Sequence, residues 1–355
     1  MECSETDSPK PGSWQYRPAF RSGKKHPIRR CSDPVALCDV LVYFTFMQFI
    51  PRSLLIVVKA HNAEAMREAE EISAWLRERG VSSCLVPSAA SAPPPDEGGI
   101  PLQPFDAAHA RGMDAALILG GDGTMLGVGR ALQPCAIPLL GVNFGKVGFL
   151  TEISSENWKP HLQALMDGEF SIQGHNALHW ALVRKSGAQG GSGWAVNDVV
   201  FARGSVARAV TLDLFVDDIF MSRLRCDGII VSTALGSTAY AASAGGPLVF
   251  PSLNAVMITP VCPFAGAFPP LVLPSSACIR LRTVQSADQV FVTIDGQEHL
   301  PAAPGDDLLI RGETDKMPLL VRDPRWYLRR LGQRGFILPG PGSYAPPEYA
   351  DEAQP

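Results

Sequence analysis

The pattern of apolar and polar positions becomes regular from residue 53 onward. Ser53–Ala60, "SLLIVVKA", is a continuous apolar run rich in β-branched residues, which is typical of a strand buried on both faces of a sheet. The next segment favours a helix, because Asn62 suits an N-cap, Gly80 suits an end, and apolar residues recur on one helical face. That face consists of Ala65, Ala69, Ile72 and Leu76.

The same alternation continues to about residue 152. Apolar runs at Val81–Pro87, Met113–Gly120 and Ile137–Asn143 predict three further strands, and a short helix is predicted from about Thr124. Strands that alternate with helices favour right-handed βαβ crossovers and a parallel sheet. We therefore predict an α/β domain over residues 51–152.

The hydrophobic pattern changes after a helix predicted within Trp158–Phe170. Strand-like runs then follow one another without long helices. The sequence "VDDI", Val216–Ile219, predicts a hairpin turn between two of them. The runs cover residues 179–185, 194–203, 209–225, 228–233, 255–261, 278–283, 289–297, 307–312 and 318–323. We predict a mostly antiparallel, sandwich-like β domain over 153–322, a helix within 323–334 that packs back on the molecule, and a tail at 335–355.

Residues 1–50 fit neither domain and are predicted to be a disordered or poorly defined extension. A targeting peptide for an organelle is the alternative, but Glu2, Glu5 and Asp7 are at odds with the acid-poor composition of such peptides. The apolar run Val40–Ile50 is far shorter than the roughly 20 residues that cross a bilayer. We expect a cytoplasmic protein with no membrane partner.

Composition narrows the function classes. The 355 residues are 46% hydrophobic and 19% charged, as in ordinary globular proteins, and the net charge of −4 argues against a nucleic-acid partner. The eight cysteines form no CxxC pair and the seven histidines show no metal-ligand spacing, so we expect reduced thiols and no structural zinc.

The first candidate chemistry lies in "GGDGT", Gly120–Thr124, at the carboxyl end of a predicted parallel strand. Glycines let backbone N–H groups approach an anion, and the helix that follows directs its N-terminal amides to the same place. A carboxylate there repels phosphate unless it binds Mg²⁺ or takes a proton from a hydroxyl. The combination suits phosphoryl transfer to an alcohol, although a simple turn also explains the motif when it is taken alone.

A second constellation lies in the β-rich half. Cys226–Val249, "CDGIIVSTALGSTAYAASAGGPLV", runs from a strand into a small-residue loop that offers hydroxyls, amides and one aromatic ring. Two short polar pairs, Asn197–Asp198 and Asp227–Gly228, flank predicted strands nearby and suit hydrogen bonding to ribose hydroxyls and base edges. A sandwich-corner loop packed through small residues is the competing interpretation.

These motifs together resemble the NAD kinase family over roughly Ser53 to Arg334. The shared stretches are "GGDGT", "GVNFGKVGFLTE" (141–152), "VNDVV" (196–200), "DGIIVSTALGSTAYAASAGGP" (227–247), "TPVCP" with "PLVLP" (259–274) and "IDGQ" (294–297). "GGDGT" alone also occurs in lipid kinases and phosphofructokinase-type kinases, whereas all six in this order are specific to NAD kinases.

The resemblance implies transfer of the γ-phosphoryl of ATP, with Mg²⁺ or another divalent cation, to the 2′-hydroxyl of the adenosine ribose of NAD. It implies that Asp122 is the proton acceptor and assigns no protein metal ligand. The remaining residues that it assigns to substrate and nucleotide binding are Gly121, Gly123, Thr124, Phe149, Asn197, Asp198, Arg225, Asp227, Gly236, Ser237, Thr238, Ala239, Tyr240, Ser243 and Gln297. Phe149 is expected near the adenine. The family also assembles, so we expect a homo-oligomer, a dimer or a tetramer.

The chain departs from the family pattern at four positions. Ala234 and Leu235 stand where the family usually has Pro–Thr or Pro–Ser before the glycine of the loop, Phe264 replaces a histidine, and Pro269 replaces an arginine. We expect Leu235 to cost a hydroxyl that would bond a ribose or an amide, so that Leu235→Thr tightens NAD binding. Two alternatives stay open: a lipid kinase acting on diacylglycerol or sphingosine, and a catalytically silent NAD-binding protein.

Overall fold

The computed structural model describes residues 49–59, 62–88, 107–145, 148–151, 153–204, 209–264, 268–285 and 290–337. The predicted N-terminal extension therefore lies outside the described residues except for Phe49 and Ile50, and the predicted tail lies outside them beyond residue 337.

One sheet is built mainly from the first half of the chain, with the strand order β2-β1-β3-β4-β19-β6 and β5 beside β4. Its pairs are parallel except for that between β19 and β6. The strands are β1 (Ser53–Lys59), β2 (Ser82–Ser88), β3 (Ala115–Leu119), β4 (Leu139–Asn143), β5 (Ile153–Ser154), β6 (Ser171–Gln173) and β19 (Leu319–Val321). The parallel α/β architecture predicted from the alternating pattern is confirmed.

The helices are short, and the first two carry the sequence signals that predict them. They are α1 (Ala63–Arg77), α2 (Asp122–Leu132), α3 (Trp158–Met166), the single turn α4 (Tyr240–Ser243) and α5 (Trp326–Gln333). The Asn62 side chain accepts hydrogen bonds from the amides of Glu64 and Ala65 at 3.1 and 3.0 Å, so the predicted N-cap of α1 is confirmed. Gly80 beyond its end has a φ of +76°, which glycine adopts without strain.

The second half of the chain forms two antiparallel sheets of six strands, ordered β11-β10-β15-β18-β7-β8 and β14-β13-β12-β9-β16-β17. Their bounds are β7 (Ala177–Val183), β8 (Gln189–Ala195), β9 (Asp198–Arg203), β10 (Val210–Val216), β11 (Ile219–Cys226), β12 (Gly228–Thr233), β13 (Ala255–Val261), β14 (Leu271–Pro274), β15 (Cys278–Gln285), β16 (Val290–Ile294), β17 (Glu298–Ala302) and β18 (Asp307–Glu313). Buried residues of both sheets, such as Leu212, Leu281, Val231 and Val292, share one apolar cluster. The predicted β-rich, sandwich-like half is confirmed.

The hairpin predicted at "VDDI" joins β10 to β11. Asp217 and Asp218 have φ values of +49° and +62°, and two consecutive positive φ values are the requirement of the tight two-residue turn that matches strand twist. Acidic residues tolerate this backbone region better than most side chains. The turn follows directly from the sequence.

Three local predictions need correction. The helix after "GGDGT" begins at Asp122 rather than near Thr124, which places Asp122 in its first turn. The run 194–203 is not one strand, because β8 ends at Ala195 and β9 begins at Asp198 in a different sheet. The run at 318–323 supplies β19 to the parallel sheet, although it lies within the stretch predicted as the second domain.

The C-terminal helix α5 packs against the first half of the molecule. Its residues Trp326, Tyr327 and Leu331 join an apolar cluster with Ile118 and Met125. A helix that packs back was predicted for this segment, while the domain boundaries themselves stay predictions. In the part of the chain that the structure describes, no helix has the length and apolar character to cross a membrane.

Candidate active site

The predicted phosphate-binding turn joins β3 to α2. Gly121 is the N-cap of α2, and the first turn of a helix carries amide groups with no intrahelical acceptor. Gly120 admits no side chain, because a Cβ atom there would lie 2.5 Å from the Thr124 hydroxyl oxygen. Thr124 is 8% exposed and its amide donates to the Gly121 carbonyl at 2.9 Å, so Thr124 contributes to the shape of the turn.

The carboxylate of Asp122 is held by the loop that precedes β5. Oδ2 accepts from the Phe149 amide at 2.7 Å, and Oδ1 accepts from the amides of Leu150 and Thr151 at 3.0 and 3.3 Å. The Thr151 hydroxyl donates to Oδ1 at 3.4 Å and accepts from the Gly148 amide at 2.9 Å. These bonds place the side chain in one fixed orientation.

The two carboxylate oxygens of Asp122 differ in how much hydrogen-bonding capacity is left. Each carboxylate oxygen has about two lone-pair sites. Oδ1 has three donors from Leu150 and Thr151, whereas Oδ2 has one, from Phe149. Oδ2 is therefore the oxygen that retains room for a hydroxyl proton.

The approach of the loop to Asp122 depends on glycine at position 148. A Cβ atom there would lie 1.8 Å from Oδ1 of Asp122 and 2.2 Å from its Cγ. The Gly148 carbonyl in turn accepts a hydrogen bond from the guanidinium of Arg330 in α5. Arg330 is 7% exposed. The C-terminal helix therefore stabilises this loop through a buried guanidinium.

Phe149 lies among aromatic side chains from the C-terminal segment. Its ring centroid is 5.5 Å from that of Phe336 and 6.4 Å from that of Tyr327. The Tyr327 hydroxyl reaches the Ser237 hydroxyl at 3.4 Å. Helix α5 therefore connects the loop that carries Phe149 with the small-residue loop that begins after β12.

Asn197 and Asp198 lie where the chain passes from β8 to β9. The Thr233 amide donates to the Asn197 carbonyl at 2.9 Å, and the Thr233 hydroxyl donates to the Val196 carbonyl at 2.7 Å. The Gly236 amide donates to that same hydroxyl at 2.9 Å. A Cβ atom at Gly236 would lie 2.2 Å from the Asn197 carbonyl oxygen, so glycine is required for this approach.

Solvent exposure increases along the Gly236–Ser243 loop. Ser237 is fully buried and its hydroxyl pairs with the amide and carbonyl of Val249, each at 3.1 Å, so it anchors the loop. Thr238 and Ala239 are half-buried, whereas Tyr240 and Ser243 are exposed. The accessible part of the loop is its second half.

The Gln297 side chain connects the turn at 295–297 to helix α2. Its Nε2 donates to the Gly123 carbonyl at 2.7 Å, and its Oε1 accepts from Arg130 of α2 at 2.9 Å. Arg130 also forms an ion pair with Asp295 at 2.8 Å, and Asp295 accepts from the Asn197 amide at 2.7 Å. The structure therefore joins the start of α2 to the Asn197–Asp198 segment.

Arg225 and Asp227 lie apart from this assembly. Asp227 pairs with Arg203 at 2.7 Å, and the guanidinium of Arg225 lies 4.8 Å from the ring centre of Phe264. Asp227 directly precedes β12, whereas Thr233 ends it, so at about 3.3 Å per residue Asp227 lies about 20 Å along the strand from Thr233. Arg225 lies near the end of β11.

Four residues of this assembly were not predicted: Arg130, Thr151, Asp295 and Arg330. Thr151 and Asp295 lie inside motifs that carried the resemblance, so their motif membership was a usable signal. Arg130 and Arg330 lie on helices whose partners are 165 and 182 residues away in sequence. No local pattern indicates such contacts.

Comparison with known proteins settles the family. The model of the ATP-NAD kinase N-terminal domain matches residues 54–170, and that of the ATP-NAD kinase C-terminal domain matches residues 196–320. An NAD kinase of Nitratidesulfovibrio vulgaris is 40% identical over 286 residues, which covers 81% of this chain and 92% of that protein.

This chain belongs to the NAD kinase family. An NAD kinase of Lawsonia intracellularis is 36% identical over 283 residues, covering 80% of this chain and 95% of that protein. Two solved structures share the fold. A yeast NADH kinase complexed with NADH has a TM-score of 0.68 at 25% identity, covering 84% of this chain and 90% of the other. An NAD kinase from Archaeoglobus fulgidus in complex with ATP has a TM-score of 0.60 at 25% identity, covering 80% of this chain and all of the other.

The departure from the NAD kinase pattern at Leu235 is a packing feature. Its side chain is 4% exposed and joins the apolar cluster that includes Met125 and Leu126. This burial gives the Leu235 side chain a packing role, and the expectation that a hydroxyl at 235 would reach a ribose or an amide stays a prediction. Ala234 is also buried, at 1% exposed, whereas Phe264 and Pro269 are exposed.

We expect Leu235→Thr to destabilise the protein by about 2–4 kcal/mol, because it removes buried apolar atoms and introduces a hydroxyl into an apolar cluster. Urea unfolding of the variant and the wild type measures this difference. Tighter NAD binding with unchanged stability would contradict the structural interpretation and restore the original one.

Asp198 carries the largest upward pKa shift among the carboxyl groups in the described part of the chain. Burial, followed by the nearby charge of Asp295, raises the pKa of Asp198 from 3.8 to about 7. The folded protein therefore binds this proton more tightly than the unfolded chain does between those two values. Protonation of Asp198 therefore stabilises the fold. This contribution to the free energy of unfolding is complete below 3.8, the pKa of the carboxyl in the unfolded chain, and is lost as the pH rises through about 7.

Asp198→Asn is expected to remove this pH dependence. Each pKa unit corresponds to about 1.4 kcal/mol, so the wild type loses up to roughly 4 kcal/mol more than the variant between about pH 4 and about pH 7. Urea unfolding of both proteins across this range tests the expectation. Parallel stability profiles for the two proteins would show that Asp198 titrates normally.

In the residues that the structure describes, no group of three or more His, Cys, Asp or Glu side chains is arranged to hold a metal ion. Mg²⁺ commonly binds through one or two carboxylates together with substrate phosphates. Asp122 is the carboxylate at the predicted phosphate-binding turn, and Oδ2 is the oxygen that accepts fewer hydrogen bonds. These residues fit a cation that is carried mainly by phosphate oxygens.

Proposed function

We propose that this chain transfers the γ-phosphoryl group of ATP to the 2′-hydroxyl of the adenosine ribose of NAD and so produces NADP⁺. One observation carries the proposal beyond family membership: the oriented Asp122 carboxylate lies at the start of a helix that Gln297 ties to the Asn197–Asp198 segment. The amides proposed to bind phosphate and the groups proposed to bind the dinucleotide are thereby connected by hydrogen bonds and one ion pair.

Asp122 Oδ2 is proposed to accept the proton of the 2′-hydroxyl as that oxygen attacks the γ-phosphorus. The bonds from Leu150 and Thr151 hold Oδ1, so the other oxygen points in a fixed direction. A general base positioned in this way typically contributes about 10²–10⁴-fold to a rate. The proton passes from the ribose to Oδ2, and the leaving group is the β-phosphate oxygen of ADP.

The phosphates are proposed to lie against the backbone of Gly121 and Gly123 at the start of α2. Amides in the first turn of a helix and its positive dipole end favour anions. Mg²⁺ is proposed to arrive on the ATP phosphates and to neutralise their charge. Gly123 is exposed, which leaves its amide accessible.

The dinucleotide is proposed to bind along the segments that follow β8 and β12. Asn197 and Asp198 suit ribose hydroxyls, and the exposed part of the small-residue loop suits the bases. The residues proposed for the latter contacts are Thr238, Ala239, Tyr240 and Ser243, with Phe149 bordering the adenine. Tyr240 offers its ring for stacking because it is 47% exposed.

A homo-oligomer, a dimer or a tetramer, is proposed on the position of Arg225 and Asp227. Asp227 lies about 20 Å along the strand from Thr233, the end of β12 that contacts Asn197, and Arg225 lies near the end of β11. A second copy would supply them to the same ligand. Light scattering after size exclusion tests this, and a monomeric mass for an active protein would contradict it.

A cytoplasmic location is also proposed. The described cysteines are free thiols, as is usual in a reducing compartment. The alternative of an organellar targeting segment concerns residues that lie outside the described ones.

The acceptor is tested by offering the purified protein radiolabelled ATP and Mg²⁺ with NAD, NADH, diacylglycerol or sphingosine in parallel. Label transfer to a dinucleotide alone is the expected result. Transfer to either lipid would favour the lipid-kinase alternative, which shares the glycine–aspartate turn.

A further inference from the structure

Asp295 is a fully buried aspartate in a tight turn. It follows β16 in the turn "IDGQ" and has a φ of +49°, a left-handed conformation that aspartate adopts more readily than most side chains. Its side chain is completely buried. A buried carboxylate needs compensating interactions, and these identify what the residue does.

Three consecutive amides of the segment between β8 and β9 donate to Asp295. Val196 donates to both carboxylate oxygens at 3.1 and 3.0 Å, Asn197 donates to Oδ1 at 2.7 Å, and Asp198 donates to Oδ1 at 3.1 Å. The Asp198 carbonyl accepts from the Asp295 amide at 2.9 Å. The Asp295 carboxylate therefore determines the backbone conformation at the two residues proposed to bind the riboses.

Arg130 supplies the charge that the buried carboxylate requires. Its Nη1 donates to Asp295 Oδ2 at 2.8 Å, and its Nη2 donates to Gln297 Oε1 at 2.9 Å and to Glu298 at 2.8 Å. Arg130 lies in α2, the helix that begins at Asp122. One guanidinium thereby fixes the turn at 295–297 to the helix that carries the proposed base.

We infer that Asp295 is a positioning residue for the phosphoryl transfer: through Arg130 and the three amides it sets the placement of Asn197 and Asp198 relative to Asp122. The inference rests on the proposed function, because it assigns consequences to ribose binding at Asn197 and Asp198. It concerns a residue that touches neither substrate in the proposed arrangement. Catalysis depends on such placement, since a misplacement of about 1 Å can cost 10²-fold in rate.

The charge of Asp295 has a second consequence, at Asp198. Burial and then the negative charge of Asp295 raise the pKa of Asp198 to about 7. The neighbouring strand β12 places the uncharged Ser232 opposite Asp198, and Arg130 acts from α2 through its ion pair with Asp295. Removing the charge of Asp295 therefore lowers the pH at which Asp198 ionises.

Asp295→Asn tests the inference because it keeps the size of the side chain while removing its charge. We expect the KM for NAD to rise at least about tenfold, and the KM for ATP to change less than about threefold. The midpoint of the pH profile of the NAD KM is expected to move to lower pH by about half a unit or more. A purely structural residue would move neither the ratio of the two KM values nor this midpoint.

Asp306→Asn is the matched control. Asp306 is also a buried turn carboxylate that accepts two amides and an arginine, from Ala303, Lys185 and Arg184, each at 2.9 Å. It lies before β18, outside the assembly around Asp122. Its replacement is expected to lower the melting temperature without moving either KM or the pH midpoint.

Arg130→Lys decides the matter if Asp295→Asn yields no folded protein. Lysine keeps the positive charge but lacks the planar fork that reaches Asp295 and Gln297 together, so a rise of a few fold in the NAD KM with an unchanged pH midpoint is expected. Two results would overturn the inference. One is an NAD KM within twofold of wild type for whichever variant folds. The other is a pH profile of Asp295→Asn whose midpoint has not moved. If the wild type itself forms no NADP⁺, the proposed function fails. The placement of Asn197 and Asp198 by Asp295 is then tested with NAD affinities measured by calorimetry in place of the KM values.

Discussion

Replacing Asp122 by Asn is expected to reduce the turnover number for NADP⁺ formation by about 10²–10⁴-fold while the NAD affinity stays within a few fold. Asn keeps the size of the side chain but removes the lone-pair basicity of Oδ2, the oxygen with a single donor in the structure. Because Asp122 lies at the start of α2 and Asn197 and Asp198 hold the dinucleotide in the proposed arrangement, binding is largely spared. Steady-state kinetics with saturating ATP and Mg²⁺ measure the loss.

Thr151→Val separates proton transfer from the disturbance of the neighbouring loop. Asp122 also orients residues 148–151, and the Thr151 hydroxyl contributes two of those contacts. The valine variant perturbs the loop and keeps the carboxylate, so its turnover is expected to fall by less than about tenfold. Near-normal turnover for Asp122→Asn, or equal losses for the two variants, would remove Asp122 from the role of base.

Gly236→Ala is expected to raise the NAD KM by about 10²-fold, because the added methyl group collides with backbone. Its Cβ would lie 2.2 Å from the Asn197 carbonyl oxygen and 2.6 Å from the carbonyl carbon, and no side-chain rotation relieves the contact. The small-residue loop and the Asn197–Asp198 segment must therefore move apart. Overpacking of this kind also costs about 1–3 kcal/mol of stability.

Gly332→Ala is the control for a glycine that has open space around it. A Cβ atom at Gly332, in α5, meets no heavy atom within 4 Å. This variant is expected to keep the NAD KM within twofold and to gain a few tenths of a kcal/mol from helix propensity. An NAD KM for Gly236→Ala as low as that of the control would show that the loop tolerates separation from Asn197.

The elements that rest on local signals were predictable. The β1–α1 unit follows from a continuous apolar run, the Asn62 cap and a four-residue apolar face, and the structure has all three. The Asp217–Asp218 turn follows from residues that tolerate positive φ. Such signals lie within a single helix, strand or turn, where the pattern of residue types along the chain displays them.

The parts that were missed depend on contacts between distant segments. The division of residues 194–203 into β8 and β9 occurs at Val196 and Asn197, whose amides bond to Asp295 almost one hundred residues later. Leu235 lies in a small-residue loop of the sequence and in an apolar core cluster of the structure. No periodicity of the chain encodes either partner.

The site was predictable to a similar extent. The motifs identify Asp122 and Asn197 as functional candidates, but not that Oδ1 of Asp122 is occupied by the loop at 150–151, nor that Thr124 and Ser237 are buried. Asp227 shows the opposite case, since motif membership groups it with the loop that follows β12, whereas the length of β12 places it about 20 Å along the strand from Thr233.

The most direct test of this account is the product formed by the wild-type chain from saturating NAD, ATP and Mg²⁺. An NADP-specific dehydrogenase reports only dinucleotide that carries the 2′-phosphate, so the assay reads both the acceptor and the hydroxyl that is modified. We expect NADP⁺ to accumulate with ADP in equal amounts and to depend on Asp122. NAD binding without any NADP⁺ under these conditions would contradict the account and identify a catalytically silent NAD-binding protein.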